Sequence, residues 1–415
     1  MSSRVALLAG PTTYRGNAFL EAAQKLGLDV LRVVDTPTAL ASGVRGNWLE
    51  LDFAAEEAAI AALRRLHAQE PLAAVVALDD SATMLAAQVA SALHLPHNDP
   101  QAALAARNKW VMREALARGG VPVPTFRRVA LDDDPVRAAK GFGRPVASTP
   151  FTLSGSRGVI RANDVAEVRA AFAQAREITL AAGHAPDEGV LLLERYLPGI
   201  EVALEGLLTA GTLQTLAIFD KPDPLEGPYF EETIYVTPSR LAPEVQEAIS
   251  ARTAEAAAAL GLREGPVHAE LRINDEGIWL IEMAGRSIGG LCSTVLEFGA
   301  GIGLEELILR HAVGAALPNA TGMDHAAGVM MIPIPRGGIL RGVSGTEDAA
   351  AVPGVTGVDI TAPLHQPLVP LPEGASYLGF IFAQGATPEG VEAALRTAHA
   401  ALSFQIGPAI LLRVT

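Results

Sequence analysis

The first hundred residues alternate short apolar runs with segments whose apolar positions recur at helical spacing. This pattern predicts strands at residues 4–8, 28–34 and 73–78, and helices at residues 17–26 and 54–69. Strands that alternate with helices in this order are typical of a parallel sheet covered by helices. We therefore expect the chain to begin with a parallel α/β domain.

The pattern changes at Asn108. Residues 108–118 predict a helix that ends at Gly119 and Gly120, and a new strand begins near Thr125. The stretch GRPVASTPFTLSGSRGVIRAND then predicts a strand, a Ser/Gly loop and a second strand. Small residues with free backbone N–H groups, together with Arg157, suit the wrapping of a polyphosphate. A Gly/Ser hairpin loop without a ligand explains the same residues, and the motif alone favours that explanation.

Two further apolar strands follow in VLLLERYLPGIEVALEGLL, with a short hinge between Glu194 and Glu201. Residues from 326 onward predict a third unit of short strands that closes with an amphipathic helix near residues 389–402. The chain thus divides into three units.

A predicted β-hairpin in GPVHAELRINDEGIWLIEMAGR sets two carboxylates face to face. Strand alternation places His268, Glu270 and Arg272 on one face. If residues 275–277 form a three-residue loop, Glu270 lies opposite Glu282. Opposed carboxylates repel each other, and such oxygen pairs are what Mg²⁺ or Mn²⁺ prefers. A two-residue turn would shift the register by one and leave both glutamates on the surface, so the residues alone allow either arrangement.

Other polar groups have two interpretations each. Asp79 and Asp80 follow a predicted strand, where ligands gather in parallel sheets, although a helix N-cap explains one of them. The loop at residues 230–232 is either substrate-facing or a solvated charged turn. The segment IGGLCSTVLEFGAG, residues 288–301, offers glycine N–H groups to a substrate carboxylate or simply packs.

Composition narrows the class of protein. The 415 residues are 49% apolar, with a mean hydropathy of +0.27, which indicates a globular chain with substantial cores. A net charge of −14 argues against nucleic acid or an anionic membrane as a partner. The single Cys292 fits a reducing compartment, and no apolar run reaches the roughly 18 residues of a membrane span. We expect a cytoplasmic protein without a signal peptide.

Taken together and in this order, the motifs resemble the ATP-grasp superfamily, in the branch that contains L-amino-acid ligases, biotin carboxylase and glycinamide ribonucleotide synthetase. The resemblance runs through Lys109, the loop SGSRG, the hinge ERYLPGIE, Glu270, Glu282 and Arg286. It implies an N-terminal parallel α/β (pre-ATP-grasp) domain at residues 1–105, a two-subdomain ATP-grasp core at 106–315 with its lid at about 125–197, and a C-terminal α+β domain at 316–415.

The resemblance also assigns roles to these residues. Lys109 would reach the nucleotide phosphates, and the loop would form a lid over the β- and γ-phosphates. The hinge would contact adenine and ribose, Glu270 and Glu282 would hold Mg²⁺, and Arg286 would stabilise charge on the transferred phosphoryl group. His268 could touch a phosphate or the substrate. The nucleotide-binding residues implied in this way are Lys109, Ser154, Gly155, Ser156, Arg157, Gly158, Glu194, Arg195, Tyr196, Leu197, Glu201 and His268.

Two positions depart from the pattern of the family. A second phosphate-binding lysine would stand at Thr149, and an asparagine that often completes the metal site would stand at Ala284. Loss of one charge-assisted phosphate contact costs ~1.5–3 kcal/mol, which weakens an enzyme without necessarily silencing it, so both departures leave room for a nucleotide-binding protein with weak or no ligase activity. Arg157 is the residue that we expect to compensate.

The resemblance implies an ATP- and Mg²⁺-dependent ligase that joins a carboxylic acid to an amine through an acylphosphate and releases ADP and phosphate. Its partners would be these small molecules, and homodimerisation stays open. A nucleotide-binding protein with weak or no activity, and a carboxylase acting on bicarbonate, are the alternatives within the same fold. A nicotinamide oxidoreductase is disfavoured because the turn GPTTYRG lacks GxGxxG.

Overall fold

The computed structural model describes residues 3–11, 13, 15–37, 44–143, 145–183, 189–298, 301–318, 323 and 325–408. Parts of three sequence motifs lie outside these residues, namely Thr12 and Tyr14 of the first turn, Arg144 of the stretch GRPVASTPFTLSGSRGVIRAND, and residues 299–300 of the glycine-rich segment. Among the described residues, no helix is long and apolar enough to cross a membrane.

The N-terminal unit is a five-stranded sheet with helices around it. Its elements are β1 (Arg4–Ala9), α1 (Gly16–Lys25), β2 (Asp29–Asp35), β3 (Val44–Arg45), β4 (Trp48–Leu51), α2 (Glu56–Gln69), β5 (Leu72–Ala77) and α3 (Thr83–Ala92). The helices α4 (Pro100–Arg107) and α5 (Lys109–Arg118) follow and pack against the core. The strand order is β3-β4-β2-β1-β5, and every pair is parallel except β3 with β4. The predicted parallel sheet is confirmed. The short strands β3 and β4 were not predicted, because no apolar run marks them in the sequence.

The lid unit is a four-stranded antiparallel sheet. It comprises β6 (Phe126–Ala130), α6 (Pro135–Ala138), β7 (Val146–Pro150), β8 (Ile160–Ala162), α7 (Val165–Ala181) and β9 (Val190–Arg195), in the strand order β6-β9-β7-β8. The loop between β7 and β8 carries the SGSRG motif, and β9 leads directly into the hinge. All of the strands predicted here are present.

The remaining elements build one large sheet, a three-stranded sheet and a two-stranded pair. They are β10 (Ile200–Thr209), β11 (Thr212–Asp220), β12 (Ile234–Thr237), α8 (Pro243–Leu260), β13 (Gly265–Asn274), β14 (Gly277–Ala284), β15 (Glu297–Phe298), β16 (Ile302–Gly303), α9 (Leu304–Ala312), β17 (Ala326–Ile332), β18 (Gly338–Ser344), α10 (Thr346–Ala350), β19 (Val355–Ile360), β20 (Pro367–Leu368), β21 (Gly379–Gly385), α11 (Pro388–Ala401) and β22 (Ser403–Gly407). Eight strands form the order β14-β13-β10-β11-β12-β17-β21-β19, β20-β18-β22 form a separate small sheet, and β15 pairs with β16.

The C-terminal unit continues the sheet of the core. β12 pairs with β17, which places Ile234 opposite Met330, so three C-terminal strands extend the five core strands. A hydrophobic cluster that includes Phe19 of α1, Phe219 of β11 and Leu307 of α9 joins the N-terminal unit to this sheet. The three units therefore enclose a common space. The predicted fold class, a parallel α/β domain followed by an ATP-grasp core and an α+β unit, is confirmed.

Candidate active site

The three units meet around a cavity of about 580 Å³. Its walls carry most of the site residues predicted from the sequence, namely Lys109, Ser154, Gly155, Ser156, Glu194, Arg195, Tyr196, Leu197, Glu201, His268, Glu270, Glu282 and Arg286. Two predicted residues, Arg157 and Gly158, are not among the described residues that line it. The roles assigned to all of these residues stay predictions.

The β13–β14 hairpin does place Glu270 opposite Glu282. The route differs from the expected one, because Asn274 pairs with Gly277 and the turn therefore has two residues rather than three. A register shift between Glu270 and Leu271 then restores the pairing of the two glutamates. The predicted three-residue loop is wrong, but the predicted juxtaposition of the carboxylates is right. Alternation along β13 directs Glu270 into the cavity, while Leu271 packs into the core behind it.

Lys109 reaches this hairpin from the first turn of α5. The side chain of Asn108 caps the helix by accepting hydrogen bonds from the N–H groups of Trp110 and Val111, which places Lys109 at its first residue. The Lys109 ammonium lies 3.1 Å from Glu282 and donates a hydrogen bond of 2.9 Å to the carbonyl of Leu153. One cation thus connects the hairpin to the start of the lid loop.

A buried lysine that the sequence reasoning missed lies among three carboxylates. Lys221 follows β11 and contacts Glu201 at 2.8 Å, Glu232, and Glu270 at 3.6 Å. Burial opposes its charge, but the three carboxylates together hold the pKa of its ammonium well above the usual range. Burial and the nearby Glu270 raise the pKa of Glu232 to about 7, against the lowering effect of Lys221.

His268 supports Glu270 from the same face of β13. Its Nδ1 contacts the fully buried Glu205, and its Nε2 lies 3.5 Å from Glu270. Burial disfavours a charged ring, yet Glu205 and Glu270 raise the pKa of His268 to about 9, so the ring is protonated at neutral pH. Although burial opposes ionisation of Glu270, Lys221 and His268 lower its pKa well below the usual range. The Glu270 carboxylate is therefore charged and faces the cavity.

The hinge after β9 is held by buried ion pairs. Arg113 donates to Glu194 over 2.6 Å, and Arg272 donates to Glu201 over 2.7 Å and to the carbonyl of Leu197 over 2.7 Å. Arg195 instead makes a bidentate pair with the exposed Glu276. These contacts fix the backbone that would meet an adenine base.

Tyr196 of the hinge is enclosed by its neighbours. The guanidinium groups of Arg161 and Arg272 lie 4.3 and 5.2 Å from the centre of its ring, and the ring of Phe230 stacks on it at 6.1 Å. Phe230 and Glu232 both line the cavity, so the loop at residues 230–232 faces the site rather than solvent alone.

Arg286 is positioned by the N-terminal domain. Its guanidinium donates to both carboxylate oxygens of Asp80, over 2.9 and 2.7 Å. Burial would raise the pKa of Asp80, but Arg286 lowers it from 3.8 to about 2. The neighbouring Asp79 caps the short 3₁₀ turn by accepting a hydrogen bond from the N–H of Ser81. Asp79 is therefore the predicted N-cap, and Asp80 is the aspartate that pairs with Arg286.

The lid loop is attached to the C-terminal unit. The N–H of Gly158 donates to the carbonyl of Pro372, and Arg157 Nε donates to the carbonyl of Glu373 over 2.8 Å. A β-carbon on Gly155 would approach that of Ala375 at 3.2 Å. Arg157 therefore points away from the cavity, and the expectation that it compensates for Thr149 finds no support in its position. Thr149 itself is buried in the cavity wall.

The carboxylates fit a hard divalent cation. Glu270 and Glu282 are opposed on the cavity wall and offer carboxylate oxygens, which is the donor type that Mg²⁺ and Mn²⁺ favour. Oxygen atoms of Glu201, Glu232 and Glu270 also lie within 4.8 Å of one another, but these three carboxylates already surround the ammonium of Lys221. Ala284 lines the same wall and offers no ligand.

Three known families match successive parts of the chain. Residues 20–97 match an ATP-grasp N-terminal domain, residues 142–295 match an ATP-grasp domain, and residues 330–407 match an L-amino acid ligase C-terminal domain. The chain belongs to the ATP-grasp superfamily. This family binds ATP with Mg²⁺ and includes L-amino acid and D-alanine–D-alanine ligases.

A solved structure supports the same assignment over almost the whole chain. The L-amino acid ligase from Bacillus licheniformis superposes with a TM-score of 0.80 at 25% identity and covers 98% of this chain and 99% of its own. Phosphoribosylglycinamide synthetase from Anaerococcus prevotii shares the fold, with a TM-score of 0.69 at 15% identity, and the match covers 98% of this chain and 100% of that one.

The sequence relatives have similarly low identities. The uncharacterized protein y4rH of Sinorhizobium fredii is 24% identical over 97% of this chain and 83% of its own length. D-alanine–D-alanine ligase B of Chromobacterium violaceum and alanine–anticapsin ligase of Bacillus subtilis are each 28% identical. The match covers 49% and 50% of this chain, and only 66% and 47% of those enzymes.

Proposed function

We propose that the protein is an ATP- and Mg²⁺-dependent ligase that joins a carboxylic acid to an amine through an acylphosphate. The observation that carries this proposal is the convergence, in one cavity, of the hinge, the opposed carboxylates Glu270 and Glu282, and the cations Lys109 and Arg286. The hinge, Lys109 and the segment from Glu270 to Arg286 are far apart in the sequence, so their meeting depends on the fold.

The proposed reaction has two steps. An oxygen of the substrate carboxylate attacks the γ-phosphorus of ATP, the bond to the β–γ bridging oxygen breaks, and ADP leaves. The amine then attacks the acyl carbon of the acylphosphate, and phosphate leaves as the amide forms. The amine gives up a proton in this second step. Both steps concentrate negative charge on phosphoryl oxygens, which is where preorganised cations accelerate reaction most.

The residues of the chain divide this work. Lys109 and Arg286 would neutralise charge on the phosphoryl group, and Glu270 and Glu282 would hold Mg²⁺, which would supply further positive charge to the phosphates. Asp80 keeps the Arg286 fork in one orientation. The packed lid would exclude water from the acylphosphate, which water would otherwise hydrolyse.

We also propose the domain limits 1–105, 106–315 and 316–415. The three matched families, at residues 20–97, 142–295 and 330–407, each fall within one of them and support this division.

One alternative is favoured by specific residues. Thr149 and Ala284 stand where the family pattern has a phosphate-binding lysine and a metal-binding amide, and both line the cavity. A protein that binds nucleotide without turnover would tolerate both replacements.

ADP release distinguishes the two functions. We expect the purified protein with MgATP and a mixture of L-amino acids to release ADP and phosphate in equal amounts, and Arg286→Ala to lower this rate at least about a hundredfold, because one transition-state donor is worth that much. Arg396→Ala removes the same charge from an exposed pair on α11 and serves as the matched control. Nucleotide binding without ADP release from any mixture would favour the binding protein.

A further inference from the structure

One part of the cavity lining is apolar. It includes six apolar and aromatic side chains, which we call the apolar wall: Leu78, Tyr235, Ile288, Met331, Tyr377 and Phe380. Five of them belong to the hydrophobic cluster that joins the N-terminal unit to the large sheet, and Tyr377 packs against it. All three units therefore contribute to this wall or support it.

The apolar wall is continuous. Met331 and Phe380 are paired residues on β17 and β21, and the ring of Tyr377 lies 6.3 Å from that of Phe380. Gly290 borders it without a side chain, and a β-carbon there would approach the Phe380 ring at 3.2 Å. The absence of a side chain at this position keeps one side of the wall open.

The apolar wall ends at a carboxylate. Glu232 contacts Lys221, whose ammonium lies 5.0 Å from the centre of the Tyr235 ring. The hinge lies on the other side of this charged group, where Glu201 connects Lys221 to Arg272.

We propose that one of the two substrates carries a bulky apolar group, either aromatic or long and aliphatic, and that the apolar wall selects this group. The inference rests on the proposed ligase function and specifies its substrate class. An apolar side chain gains by leaving water for this surface, on the order of fourfold in affinity for each buried methylene. A charged side chain would lose its hydration there without gaining a partner.

Binding titrations test the selection without requiring turnover. The probes are L-phenylalanine, L-leucine, L-alanine, L-lysine and L-aspartate, since each has the same backbone groups and a different side chain. Calorimetry with each probe, with and without MgADP, should give at least tenfold tighter binding for phenylalanine or leucine than for the other three. Equal affinities, a preference for lysine or aspartate, or no binding of any probe would overturn the inference.

Substitution of Tyr377 connects the preference to the apolar wall. Tyr377 is only half-buried and lies outside the strands, so its replacement should leave the fold intact, and a melting curve verifies this. Tyr377→Ser should reduce the preference for phenylalanine over alanine by about fivefold or more, whereas Tyr377→Phe keeps the ring and should preserve it. An unchanged preference in a folded Tyr377→Ser protein would place the selected group elsewhere.

The two proposals fail in different ways. Selective binding of apolar amino acids without any ADP release would contradict the ligase function and leave the apolar selection standing. ADP release that depends only on small or charged substrates would support the ligase function and contradict the apolar selection.

Discussion

Single residues show where sequence reasoning reaches its limit. Lys221 and Asp80 are central to the site, yet neither lies in a motif, because their partners are distant in the sequence. Asp80 meets Arg286 across 206 positions, and only the folded chain brings them together. The sequence signal for Lys221 was its place at the end of the apolar strand LAIFDK. That place alone does not specify which side chains lie around the lysine.

Asp80 gives a prediction about stability and pH. Its pKa falls from 3.8 to about 2 in the folded protein, so its pairing stabilises the fold above about pH 4, and this contribution is lost as the pH falls towards 2. We expect Asp80→Asn to lower the free energy of unfolding by about 2 kcal/mol at pH 7. Denaturant titrations of both proteins at pH 7 and near pH 2 measure the difference, which should shrink at the lower pH.

A difference that is independent of pH would show that Asp80 acts by packing rather than by charge. Asp275→Asn, in the exposed turn of the β13–β14 hairpin, provides the control for loss of a carboxylate far from a partner.

Thr149 gives a prediction about affinity. It lies in the cavity wall at the end of β7, so a lysine there would direct an ammonium towards the phosphates of bound nucleotide. We expect Thr149→Lys to tighten ADP binding roughly ten- to a hundredfold, the worth of one charge-assisted contact. Thr149→Met matches the length of the new side chain without its charge and should give no such gain.

Unchanged ADP affinity in a folded Thr149→Lys protein would mean that this position does not face the phosphates. If affinity rises and the rate of ADP release rises with it, the natural protein is a weakened ligase rather than a binding protein.

At the scale of elements, alternation within a strand proved easier to predict than the turn between two strands. The faces of β13 follow from its period of two, and His268, Glu270 and Arg272 all line the cavity as expected. The prediction of the turn was wrong. Gly277 was expected to close a loop of three residues, but it pairs with Asn274 as the first residue of β14. A bulge leaves no clear signal in sequence, and here it determines which residues oppose each other.

The opposed glutamates give a prediction for the hairpin. Glu270→Gln together with Glu282→Gln should remove the Mg²⁺-dependent part of ATP binding, because an amide is a much weaker ligand than a carboxylate. The free energy of unfolding in the absence of ligands should change by only about 1 kcal/mol. Lys221 keeps its contacts with Glu201 and Glu232, and the lost repulsion between residues 270 and 282 offsets the lost contacts of these two carboxylates with cations. Chemical denaturation and ATP titrations with and without Mg²⁺ measure both effects.

A large loss of stability combined with unchanged MgATP affinity would identify the pair as structural. Asp275→Asn is again the control, because it removes a carboxylate from the same hairpin at a position away from the cavity.

For the whole molecule, the order of the units was predictable and their connection was not. Helical and strand periodicity identified the N-terminal α/β unit, the lid strands and the last helix, because each depends on neighbouring residues. The pairing of β12 with β17 and the attachment of the lid loop to Pro372 and Glu373 depend on residues far apart in sequence. Their sequences contain no local pattern that specifies the partner.

Nucleotide should stabilise the assembled molecule. All three units line the cavity, so a ligand that binds only the folded chain raises its melting temperature, with about 2.7 kcal/mol gained at a hundredfold excess over the dissociation constant. We expect millimolar MgATP or MgADP to raise the melting temperature and NADH at the same concentration to leave it unchanged. Melting curves with each ligand measure these shifts. An equal shift with NADH would contradict the assignment of the cavity as an ATP site.

The pairing of β12 with β17 has a consequence for recombination between relatives. A chain ended at residue 315 would present the backbone groups of β12 to solvent as an open edge, which invites pairing with other chains. The C-terminal unit is therefore a poor building block to exchange on its own, because the donor's β17 would have to reproduce the register of Ile234 with Met330. A chimera that carries β12 and the C-terminal unit from the same parent would keep the pairing of β12 with β17.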